Sequence, residues 1–246
     1  MSFEVLTIYA VIVVNLLIGA RLVRNGFKDS AKPELILGWA LTCDATEWLL
    51  WYLSAYTAAD GTSLGDALGF FCRFFIAATV CCLLWFTQAV FHTESRLARS
   101  MVALGWLGMF GALAGTAWER DWHGYNAESA WVWIEQITQN CVYAWMLVET
   151  GRYHLLLRKR LALGLTEPLV VNRVLLWFVY AAWIFSVQGL VALSVVIANQ
   201  EGAYPGIIDA GMALFTVFSA IALWLAFFPP RAYENWVLSR YPAIEH

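Results

Sequence analysis

The sequence predicts an all-α polytopic membrane protein: a seven-transmembrane helix bundle with its N-terminus outside and its C-terminus in the cytoplasm. Three observations predict it. The chain of 246 residues is 61% hydrophobic and only 13% charged, whereas a soluble domain carries roughly 25% charged residues. Seven predominantly apolar runs are long enough to cross a hydrocarbon core of ~30 Å. All 15 Lys and Arg residues except Arg73 and Arg120 fall near residues 21–34, 92–100 and 152–173 or in the C-terminal tail. The positive-inside rule assigns those connections to the cytoplasm.

The first run spans residues 5–22, lacks a basic stretch ahead of it, and reads as a retained helix rather than a signal peptide. Asn15 is its one strongly polar interior residue. The second, 35–57, holds two carboxylates, Asp44 and Glu47, which at i,i+3 share one helical face. Ionised carboxyls are expensive in lipid, so this face is expected to look into a bundle interior or a wet cavity. The third run, 68–91, has Arg73 in its first turns, and the fourth, 101–118, carries Gly105, Gly108, Gly111 and Gly115 at spacings that permit close helix approach. The fifth, 131–151, is the most polar, with Glu135, Gln136, Gln139 and Asn140 in its first half and Glu149 near its end. The sixth, 174–198, contains Gln188, and the seventh, 206–228, has Asp209 in its first turn and stops at Pro229-Pro230. Residues 1–230 thus read as one transmembrane domain, and 231–246 as a cytoplasmic tail with a short interfacial helix.

With these sides assigned, Glu47, Arg73, Glu135, Gln139 and Asp209 fall in the outer half of the bundle, and Asp44 lies near mid-depth. The loop between the fourth and fifth runs adds His123 as a possible roof for a polar cavity. Arg73 needs a partner at that depth, and Glu47, Glu135 and Asp209 are the candidates. The ligand-binding or coupling set read from the sequence is therefore Asp44, Glu47, Arg73, Glu135, Gln139, Asp209 and His123. The bland alternative is an ion-pair network that only fixes helix packing. Gln88 and Gln188 stand alone and read as interhelical hydrogen bonds.

Several chemistries lack their residues. Covalent retinal needs a lysine inside the bundle, and Lys28, Lys32 and Lys159 all lie in basic connections. None of the four histidines is mid-span, so a bis-histidine haem has little support. The five cysteines form no C-x-x-C pair, and no Glu-x-x-His pair supports a di-metal carboxylate site. No cofactor, metal or catalytic residue is expected. The net charge of -3 and the absence of a basic stripe argue against nucleic acid.

The connection after the fifth run alternates leucines with Arg158, Lys159 and Arg160. With Arg152 and Arg173 these residues suit anionic lipid headgroups or a cytoplasmic partner. The leading functional expectation is a small sensory or receptor-like protein that binds a small molecule in an outward cavity and signals through its cytoplasmic face. The alternatives are a proton- or cation-coupled transporter or channel, and an accessory subunit of a membrane complex. The compact chain and short connections suggest the bacterial inner membrane.

Overall fold

The computed structural model describes residues 3–57, 63–119, 128–201 and 206–240, with side chains described for 6–54, 63–119, 128–197 and 210–240. Among the described residues the chain forms eight α-helices: α1 Phe3–Asp29, α2 Lys32–Thr57, α3 Ser63–Phe91, α4 Arg96–Glu119, α5 Ala130–Ala162, α6 Pro168–Glu201, α7 Gly206–Phe227 and α8 Arg231–Ser239.

This is not the seven-transmembrane bundle that the sequence predicts. Only five of the helices, α1, α3, α4, α6 and α7, are long and apolar enough to cross a membrane. The physical reason lies in α2 and α5. Asp44 and Glu47, with flanking Thr, Trp and Tyr residues, lower the hydropathy of α2; Glu135, Gln136, Gln139, Asn140 and Glu149 do the same in α5. The alternation of sides that put the N-terminus outside and the C-terminus in the cytoplasm rested on seven crossings, and it is withdrawn with them. The five long apolar helices give the molecule the character of a helical membrane protein.

The helices also outrun the apolar stretches, because polar flanks continue them. Helix α5 extends through the basic cluster to Ala162, where Gly164 adopts φ 69°. The Leu165 amide then bonds the Arg160 carbonyl at 2.9 Å and the Gly164 amide bonds that of Leu161 at 3.0 Å. These are the two bonds of a Schellman stop. Pro168 opens α6, a position where its missing N–H costs nothing.

Six helices form a closed ring in the order α1, α2, α3, α5, α6, α7, with α7 returning to α1; α4 lies outside it, against α3 and α5. Glycines allow the α1–α2 hairpin to close. A Cβ at Gly38 would sit 2.7 Å from the Val23 nitrogen, and one at Gly19 would sit 2.6 Å from the Thr42 hydroxyl. On α4, Gly105 receives Leu84 of α3, while Gly108 and Gly115 receive Thr138 and Trp131 of α5. Gly111 meets nothing within 4 Å, so the four-glycine spacing is used at three positions. Ser129 fixes the α4–α5 turn: its hydroxyl donates to Glu119 at 2.6 Å and accepts from the Trp131 amide at 3.3 Å.

Candidate functional site: a carboxyl cavity inside the ring

All six ring helices contribute to one interior cavity of about 40 Å³; α4 contributes nothing to it. Asn15 enters from α1, Asp44 and Glu47 from α2, Thr79 from α3, Gln139 and Tyr143 from α5, Tyr180 and Gln188 from α6, and Thr216 and Ser219 from α7. Among the described residues, no Lys, Arg or His lines it. At roughly 10–15 Å³ for each water centre, the space suits two or three waters or an ion with its remaining shell.

The spacing on α2 explains the paired acids. Three residues of helix place both carboxyls over neighbouring parts of the cavity wall. The Asn15 side-chain amide donates to Asp44 across the α1–α2 contact. Glu47 is held from its own backbone, where the Cys72 thiol of α3 donates to its carbonyl oxygen at 3.7 Å.

On the side of the cavity away from the basic connections, Arg73 of α3 donates to Glu135 of α5 at 2.8 Å. Both are buried, at 6% and 3% exposure. Gln139, one turn along α5, donates to the other Glu135 oxygen at 3.1 Å and also lines the cavity. A charge-assisted pair with a supporting amide is a form in which buried charges are retained.

Toward the basic connections, an apolar layer follows the cavity. Ile18, Leu41, Leu83, Met146, Ala181 and Leu223, one from each ring helix, belong to a single core and are all at most 2% exposed. Each lies three or four positions along its helix from a cavity-lining residue.

Beyond that layer sits a second polar group. His92, at the end of α3, lies 3.0 Å from Glu149, which is also 3.6 Å from Arg152. Nearby, the His154 ring nitrogen Nδ1 meets the Val171 carbonyl at 3.3 Å. Burial lowers the proton affinity of His154, the carbonyl bond opposes that effect, and Arg158 adds to the lowering. Arg158, Lys159, Arg160 and Arg173 are exposed at this end. Helix α8 closes against α6 through the Asn172 amide, which donates to the Tyr233 hydroxyl at 2.9 Å.

The structure thus brings Asp44, Glu47 and Gln139 to one cavity and pairs Arg73 with Glu135. Asp209 lies in the first turn of α7, but its side chain is outside the described residues, as is the whole of His123. Sequence reasoning missed the Asn15 contact to Asp44, although an isolated amide in an apolar helix was the available signal. It also missed the His92–Glu149 pair and the place of Thr79 on the cavity wall. Gln88 caps its own helix end, donating to the His92 carbonyl at 3.2 Å, rather than bridging helices. The buried Gln188 carbonyl oxygen has no hydrogen-bond partner among the described residues. No group of three or more His, Cys, Asp or Glu among the described residues is arranged to hold a metal ion.

Compared with protein-family models, curated proteins and solved structures, the chain gives no match.

Proposed function

We propose that this membrane protein binds a proton or small cation at the Asp44–Glu47 cavity and couples that binding to the packing of the ring, as an ion-coupled transporter or channel does. One observation carries the reading: a small cavity inside six helices has two carboxyls and, among the described residues, no basic side chain on its wall. Buried carboxyls of membrane helices commonly mark ion and proton pathways. The small volume gives less support to a receptor for an organic ligand. The apolar layer adds the second element such a protein needs, a dry barrier between the cavity and the basic end. The compact chain and short connections support the bacterial inner membrane as its location.

A sensory reading keeps one specific support. The His92–Glu149–Arg152 group lies on the same end of α5 as the exposed Arg158–Arg160 cluster, where a change in ring packing would reach a partner protein or anionic lipid.

The test is flux in proteoliposomes carrying an imposed proton or cation gradient. Wild-type protein is expected to dissipate the gradient, and Asp44→Asn, which keeps the size and a hydrogen bond to Asn15, is expected to abolish this while folding normally. Equal flux from both proteins rejects Asp44 as the coupling acid.

A further inference from the structure

We infer that the cavity is a site for a small alkali cation, with sodium the fitting size, held by Asp44 and Glu47 together with the neutral oxygens of Thr79 and Gln188. The inference rests on the ion-coupled reading of the same cavity and names its ligand.

Helical threonines ordinarily donate to the carbonyl one turn back. In this protein Thr42, Thr46 and Thr87 each do so at 2.8 Å. Thr79 is 3% exposed, lines the cavity, and its hydroxyl oxygen has no hydrogen-bond partner among the described residues. From α6, the Gln188 carbonyl oxygen also lines this cavity wall, buried and without a hydrogen-bond partner among the described residues. Buried polar atoms of this kind cost free energy unless something satisfies them.

The chemistry of the wall selects the occupant. Carboxylate, amide carbonyl and hydroxyl oxygens are hard ligands, suited to alkali and alkaline-earth ions rather than transition metals. Arg73 is already committed to Glu135 and does not line the cavity. The cavity therefore has oxygen donors on at least two sides, acidic groups, and no cationic side chain among its described lining residues. A volume of about 40 Å³ admits one dehydrated ion with one or two waters, not a fully hydrated one. A proton alone would neutralise a carboxyl and leave the Thr79 and Gln188 oxygens to water. A cation engages them all at once.

The test is thermal unfolding of the purified full-length protein in detergent at constant ionic strength, with NaCl or KCl replacing choline chloride. A ligand that binds only the folded state raises Tm with its concentration. Sodium is expected to raise Tm saturably and more than potassium does. Thr79→Val and Gln188→Leu, which leave both carboxyls in place, are each expected to weaken the apparent sodium affinity about tenfold, the effect of losing one modest ligand contact. Thr79→Ser is expected to restore it. A Tm that responds identically to sodium, potassium and choline overturns the inference, as does a sodium response unchanged in both Thr79→Val and Gln188→Leu.

The two readings fail separately. Asp44-dependent flux driven by a pH gradient, without a sodium response, leaves the ion-coupled function standing and removes the sodium site. A Thr79-dependent sodium response without flux under any gradient does the reverse.

Discussion

At the scale of single residues, the interior is organised by which acid finds which partner. Glu135 takes Arg73 and Gln139, and Asp44 takes Asn15. The sequence made the acids and the arginine visible, because charged residues in apolar runs are rare and informative. It left three carboxyls open as partners for Arg73, because the choice depends on how α3 and α5 are rotated against each other. It did not single out Thr79, because a threonine in an apolar helix ordinarily bonds its own backbone and leaves no trace of an exception. The Arg73–Glu135 pair carries a stability prediction. Removing one member of a buried pair strands the other, at a cost of about 3–5 kcal/mol. Glu135→Leu is therefore expected to lose that much in denaturant titration of the micellar protein, and the Arg73→Met/Glu135→Leu double variant is expected to recover most of it. A loss below about 1 kcal/mol, the scale of an exposed pair, would show that Glu135 is not holding a buried charge.

At the scale of the elements, small residues decide which helices touch. The α4 glycines were legible as a packing signal, but their division was not. Gly115 receives the Trp131 ring, with an added Cβ at 2.0 Å, whereas Gly111 faces open space. The α1–α2 glycines, Gly19 and Gly38, were not read at all, because they are widely separated in sequence and meet only after the hairpin folds. Gly115→Ala is expected to cost about 1–3 kcal/mol through overpacking against Trp131. Gly111→Ala is expected to be neutral or to stabilise by up to about 1 kcal/mol through helix propensity. Thermal denaturation of the two variants distinguishes them, and equal losses would mean that α4 does not pack on α5 through Gly115. The end of α5 rests on local residues instead, Gly164 with its positive φ and Pro168 opening α6.

At the scale of the molecule, the all-α, membrane-type character followed from composition, since long apolar helices need no tertiary information to be recognised. The seven-span count did not hold, because length and general apolarity do not separate a membrane-crossing helix from one whose polar face serves the bundle interior. Asp44 and Glu47 of α2 and Glu135 and Gln139 of α5 face inward, and those same residues build the site and its flanking pair. What emerges is a ring of six helices around a small acidic cavity, flanked on one side by the Arg73–Glu135 pair and on the other by an apolar layer. The proposed function requires that the cavity acids exchange a proton or a cation. Infrared difference spectroscopy on the reconstituted protein reads this directly, by switching pH or sodium and following carboxyl bands. A carboxyl band that changes with the switch in wild type and is missing in Asp44→Asn is the predicted result; spectra without any carboxyl change on either switch would contradict the account.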